Sequence, residues 1–134
     1  MALVWICLGR DTSDDDQRMI ALQVHRALVE AFGIAEGDLL QIIARGARES
    51  VLHHRRLAYV ERSADLVLIQ DTAEDTRSAA QKRDFYRAVV ALLEVAPGIR
   101  AGDVVVHFLD VPRENWFFDP PTDAPGGEDT NVRC

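Results

Sequence analysis

Arg77 stands directly ahead of Ser78-Ala79-Ala80-Gln81, a capping-box pattern that starts a helix. Free N–H groups and the dipole at a helix start favour an anion, and a guanidinium beside them adds a two-pronged clamp for a carboxylate. The plainer reading is a solvated arginine paired with Glu74 or Asp75, which would also repel an incoming carboxylate. Asp38 and Asp103 each close a Gly-Ile-x-x-Gly-Asp segment just before an apolar run. An aspartate in such a turn accepts backbone N–H bonds and sets up the strand. His53-His54-Arg55-Arg56 is the concentrated basic stretch. It reads as a charge-solvated loop or as a collector of an anion or metal, with no second ligand cluster at metal-binding spacing. His25 falls off the apolar stripe of its helix and reads as a surface residue. His107 falls in a strand, where a hydrogen-bonded core or interface histidine is commoner than a catalyst. Cys7 and Cys134 make neither a disulfide framework nor a CxxC pair. Phosphate loop, G-x-S-x-G and dinucleotide fingerprints are absent from the sequence.

These residues need a frame, and the sequence carries one twice. Gly33-Ile34-Ala35-Glu36-Gly37-Asp38 precedes Leu39-Leu40-Gln41-Ile42-Ile43-Ala44, and 65 residues later Gly98-Ile99-Arg100-Ala101-Gly102-Asp103 precedes Val104-Val105-Val106-His107-Phe108-Leu109. The first helix starts after Thr12-Ser13, with Asp14, Asp15 and Asp16 in the turn where the dipole favours negative charge. Its apolar stripe is Ile20, Val24, Ala27, Leu28, Ala31 and Phe32, and Gly33 supplies a left-handed stop. The second helix turns Phe85, Ala88, Val89 and Leu92 inward. Strands are expected over residues 2–8, 39–44, 66–70 and 104–109. Each half is then β-α-β with parallel strands. The fold class is α/β (α+β), a four-stranded sheet with two helices on one face. Leu66-Val67-Leu68-Ile69 and Val104-Val105-Val106 do not alternate, so both sheet faces should be buried. A bare apolar face of that size would not stay in water, so the chain is expected to pack it in an oligomer.

At 134 residues the chain is one domain's worth, with repeats over about residues 1–44 and 65–109 of a domain spanning 1–118. Residues 119–134, rich in Pro, Gly and Asp, read as a flexible or partner-draped tail. Trp116-Phe117-Phe118 just before it is too aromatic for a plain linker and should cover a neighbouring subunit or a pocket. Fifteen basic against 22 acidic residues leave a net charge of −7, which argues against nucleic-acid or anionic-membrane partners. No apolar run approaches the roughly 20 residues of a membrane helix. Residues 2–8 are too short and lack the basic start of a signal peptide, so a cytoplasmic location is expected.

Over about residues 2–118 the chain resembles the tautomerase superfamily, and within it the malonate semialdehyde decarboxylase type. The residues that carry the resemblance are Val29-Glu30-Ala31-Phe32-Gly33, Asp38 and Gln41, Arg77-Ser78-x-x-Gln81-Lys82, Phe85-Tyr86, Asp103-Val104 and Trp116-x-Phe118, on the paired β-α-β units. The resemblance implies a homotrimer around a barrel-like core of three sheets, a small oxo-acid or carboxylate ligand, and neither cofactor nor metal. It implies that Arg77 holds the carboxylate, that Asp38 places water or a proton, and that Trp116 and Phe118 wall the pocket. Two positions depart from the pattern. The family places a proline after the initiator methionine, where this chain has Ala2, and a second arginine two residues before the first, where this chain has Asp75. Arg62 is a substitute cation to consider. If Met1 is trimmed, Ala2 offers a primary amine with a pKa of about 7.7–8.0, lowered further by burial, able to form an imine as activated lysines do. Otherwise Ala2 is an ordinary strand start. Two functions follow: weak or altered tautomerase/decarboxylase chemistry on a small oxo-acid, or a non-catalytic trimeric binding protein that keeps only the fold.

Overall fold

The computed structural model describes residues 2–9, 11–45, 51–74 and 76–118; Met1, Asp75, Cys134 and the tail expected over 119–134 lie outside them. The chain runs β1 (Ala2–Leu8), α1 (Asp14–Phe32), β2 (Gln41–Arg45), β3 (Val67–Ala73), α2 (Ala79–Val95) and β4 (Val104–Asp110). Ser13 caps α1 by accepting the Asp16 amide at 3.1 Å, and Gly33 ends it at φ 64°, donating its N–H to the Val29 carbonyl. At α2 the expected capping box is complete: Ser78 accepts from the Gln81 amide and the Gln81 side chain accepts from the Ser78 amide.

The sheet order is β2-β1-β3-β4. β1 and β2 are parallel, as are β3 and β4, while β1 and β3 meet antiparallel in the centre. The duplication is therefore two β-α-β units joined by an antiparallel seam. Val4, Ile6 and Leu8 of β1 and Val67 and Ile69 of β3 face α1 through Ile20, Val24, Ala27, Leu28 and Phe32, and α2 through Phe85, Val89 and Leu93. Both helices thus cover one side of the sheet. Gln23 ties them together, donating from Nε2 to the Leu92 and Ala96 carbonyls at 3.1 and 3.3 Å.

Two expectations need correction. Leu93, rather than Leu92, is the fully buried residue at the end of the α2 stripe. β3 runs three residues past Gln70, because pairing with β1 and β4 on both sides carries Asp71, Thr72 and Ala73 in the ladder whatever their polarity. In the single chain β3 is buried on one face, which leaves burial of the other to the expected oligomer. Its burial alternates along the whole strand, with Val67, Ile69, Asp71 and Ala73 as the inward set. Among the described residues no helix covers the opposite sheet face: Trp5 (43%), Ile42 (39%) and Leu109 (41%) are exposed on it in the single chain, beside Cys7 and His107. An apolar surface of this kind is a surface for association.

Candidate functional site

The strand register gathers the candidate side chains at one end of the sheet. Ala2 at the start of β1 pairs with Ala73 at the end of β3, and Ala73 pairs with Asp110 at the end of β4. β2 enters beside β1 in the same direction, with Gln41 opposite Val4, so Asp38 lies just outside that end. α1 must return to this end to feed β2, and α2 must leave from it. Phe32, Arg77 and the start of β1 are thereby brought together from three segments of the chain.

Arg77 is fixed rather than solvated. Its Nη1 donates to the Phe32 carbonyl at 3.2 Å, and its guanidinium carbon lies 4.9 Å from the centre of the Phe32 ring. Phe32 in turn stacks on Phe85 at 5.6 Å and meets the edge of Phe108 at 5.7 Å. A guanidinium over an aromatic face in a partly dry setting gains about 0.5–2 kcal/mol and keeps its direction. The Arg77 Nε is buried and has no hydrogen-bond partner among the described residues. No ion pair with Glu74 is present among the described residues, and Asp75, the other partner of the plainer reading, lies outside them.

Ala2 is buried at 3% exposure, its methyl on the helix side of the sheet. Asp38 is half-buried in the turn before β2, its amide bonded to the Ala35 carbonyl at 2.9 Å. Trp116 follows the end of β4, donates its indole N–H to the Val111 carbonyl at 3.2 Å and stacks on Phe118 at 5.2 Å. Phe118 itself is 44% exposed, so the pair forms an open wall in the single chain.

Two groups escaped sequence reasoning. Lys82 on α2 bonds Asp110 at 2.8 Å and lies over the Phe108 ring at 5.6 Å. Asp71, opposite Val4 and Phe108, is completely buried, and neither carboxyl oxygen has a hydrogen-bond partner among the described residues. Burial pushes its pKa up to about 7, against the pull of Arg77 and of the amino terminus and with help from Asp110. The signal was present in alternation: Asp71 shares parity with Val67 and Ile69, so a strand reaching that far had to turn it inward.

Other candidates fall elsewhere. Asp103 is structural: at 3% exposure it accepts from the Ser63 amide at 2.6 Å and the Ser63 hydroxyl at 2.7 Å. Burial alone would raise its pKa, but the Ser63 bonds, Arg100 and Arg62 outweigh it and hold the carboxyl below its usual value. Arg62 donates to the Leu57 and Gly102 carbonyls near Asp103, at the far end of the sheet, so it does not substitute for a second site arginine. His25 lies on the outer surface of α1, as expected, half-buried and with its Nε2 bonded to the Glu36 carbonyl at 2.8 Å. His53 and His54 belong to a loop with local backbone bonds. No group of three or more His, Cys, Asp or Glu suited to a metal occurs among the described residues. A hollow of about 540 Å³ on the outer surface of the helices, lined by Leu22, His25, Arg26 and Leu92 among others, contains none of the site residues. No helix among the described residues is long and apolar enough to cross a membrane.

A duplicated β-α-β sheet with its polar groups gathered at the start of β1 defines a class, and comparison with known proteins agrees. Residues 38–119 match the family model described as tautomerase enzyme, and the chain belongs to that family. It is 25% identical over 118 residues to the probable tautomerase YusQ of Bacillus subtilis (strain 168), covering 88% of this chain and 93% of that protein. It is similar to a malonate semialdehyde decarboxylase solved in wild-type, mutant and inactivated forms, at a TM-score of 0.82 and 25% identity over 90% of this chain and 92% of the other. A fused 4-OT symmetric trimer shares the fold at a TM-score of 0.71 and 16% identity, covering 85% of this chain and 89% of that one.

Proposed function

We infer that this tautomerase-family protein binds a small oxo-acid through its carboxylate and carries out weak or altered tautomerase or decarboxylase chemistry, with Ala2 in place of the family's proline. The observation that carries the reading is Arg77: a guanidinium locked on the Phe32 ring with its Nε N–H unspent, at the sheet end where β1 begins. A clamp of that kind suits a planar carboxylate. Asp38 places water or a proton, and Trp116 with Phe118 walls the ligand. With Met1 removed, the amine of Ala2 forms an imine with the oxo carbon; the protonated imine is the electron sink that loss of carbon dioxide from a 3-oxo acid requires. Keto–enol exchange needs instead a base whose pKa lies near the working pH. No cofactor or metal enters this scheme. The bare sheet face, with Trp5, Ile42 and Leu109, is closed in a homotrimer. We place the end of the domain at residue 118.

The test is turnover of malonate semialdehyde and of an enol-pyruvate by protein made with its native start, beside Arg77→Ala. Slow turnover that Arg77→Ala abolishes supports the reading. Failure to turn over any 3-oxo acid or enol-pyruvate refutes it. Intact mass after borohydride with the aldehyde reports in the same preparation whether Met1 is removed and whether the adduct maps to Ala2.

A further inference from the structure

Asp71 and Arg77 pose a joint problem in hydrogen bonding. Arg77 has a buried Nε N–H with no acceptor, and Asp71 has two buried oxygens with no donor, among the described residues. Each is costly alone, since a buried polar group left unpaired loses about 1–3 kcal/mol and a buried charge more. Yet the two do not bond each other, although the guanidinium is close enough to act on the carboxyl electrostatically. On Asp71's side of the sheet the strand ends carry the methyl groups of Ala2 and Ala73, which cannot donate a hydrogen bond, and Asp110, which is an acceptor already held by Lys82. The charged groups acting on Asp71 are Arg77 from the segment before α2, the amino terminus ahead of β1, and Asp110 at the end of β4. Lys82 of α2 is engaged with Asp110. From α1 comes Phe32, whose ring and carbonyl hold Arg77. A buried carboxyl facing an arginine without pairing to it is a group set to carry a proton.

We propose that Asp71 is the second ligand-binding group of this site: as a neutral carboxylic acid it donates its O–H to the oxo oxygen of a small oxo-acid whose carboxylate Arg77 holds. The inference rests on the proposed oxo-acid site and adds the residue that reads the oxo group. A bound carboxylate disfavours a second negative charge beside it, so binding draws a proton onto Asp71. The ionised form has no hydrogen to donate and repels the ligand, so affinity falls as pH rises. One molecule with a carboxylate and an adjacent carbonyl then satisfies both orphaned groups. A plain monocarboxylate satisfies only Arg77 and binds more weakly.

The probe is oxamate, an unreactive molecule with a carboxylate next to a carbonyl, titrated calorimetrically into the full chain between about pH 6 and 8.5. Expected for the wild type is an affinity that falls roughly tenfold per pH unit once Asp71 is ionised in the free protein. In Asp71→Asn the slope should vanish; in Arg77→Ala binding should be lost at every pH. Binding that needs Arg77 but keeps the same slope in Asp71→Asn overturns the role of Asp71 and leaves the oxo-acid site standing. No binding of oxamate to the wild type overturns both. Should Asp71→Asn not fold, the carboxyl carbon resonance of Asp71 in the wild type decides: its titration midpoint rises when oxamate is added, and an unmoved midpoint overturns the proposal.

Discussion

Asp38 and Asp103 close the same Gly-Ile-x-x-Gly-Asp turn in the two halves of the chain, and the antiparallel seam between β1 and β3 sends them to opposite ends of the sheet. Asp38 lies at the end of the sheet where β1 begins, the end that also carries Ala2 and Arg77. Asp103 lies at the other end, bonded to Ser63. Duplication therefore puts one aspartate at the end of the sheet where β1 begins and one in the scaffold at the other end.

Asp103→Ala is expected to destabilise the fold by about 2–4 kcal/mol, because the Ser63 amide and hydroxyl lose a charged acceptor. The Asp103 carboxyl is held below its usual value, so its contribution is present above the unfolded pKa and is lost as pH falls through the folded one. Urea unfolding from about pH 7 down to about pH 3 should show the variant losing less stability in acid than the wild type. Asp38→Ala should lower turnover with a smaller change in the unfolding midpoint.

Asp71 has the opposite sign. Its folded pKa of about 7 stands above the ordinary carboxylate value of 3.8, so the folded state holds the extra proton between those limits. Stability is full below the unfolded value and falls as pH rises towards the folded one. At roughly 1.4 kcal/mol per pKa unit, the loss is on the order of 2–4 kcal/mol. Asp71→Asn should flatten that limb and melt higher than the wild type at about pH 8, at matched protein concentration. A wild type whose melting does not change between about pH 5 and 8 contradicts the buried, unpaired carboxyl.

Phe32→Leu keeps an apolar residue in the core but removes the face on which Arg77 rests. The loss of roughly 0.5–2 kcal/mol of cation–π support should raise KM for an oxo-acid several-fold, with kcat less affected. Steady-state kinetics with the circular dichroism of the variant would separate this from unfolding.

Trp5→Glu or Leu109→Glu places a charge on the sheet face opposite α1 and α2. Analytical ultracentrifugation should find the wild type as a trimer and these variants as smaller species. A wild type that sediments as a monomer would leave the exposed face unexplained and refute the homotrimer.

Ala2→Pro should raise tautomerase activity on an enol-pyruvate by at least about tenfold, because Arg77, Asp38 and the aromatic wall stand at the same end of the sheet as residue 2. Unchanged rates in a variant shown by mass to have lost Met1 would mean that the rest of the pocket is no longer serviceable.

Local chemistry made much of this protein legible in the sequence. Ser13 and Ser78 start helices because their oxygens meet orphan amides, and Gly33 ends one because it accepts a positive φ. The repeated Gly-Ile-x-x-Gly-Asp turn, with a helix between strands in each half, was enough for two parallel units and a four-stranded sheet. The antiparallel seam was not legible, since a strand's residues do not state which neighbour they pair with. That seam sets Ala2 against Ala73, separates Asp38 from Asp103, and takes Arg62 away from Arg77. Nor did composition reveal the length of β3: backbone bonds to strands on both sides extended it through Asp71 and buried a carboxyl that local polarity alone would leave in solvent. Sequence determined the elements and their caps, where the forces act within a few residues. Tertiary structure decided which charges meet, because register and burial are set by partners far along the chain.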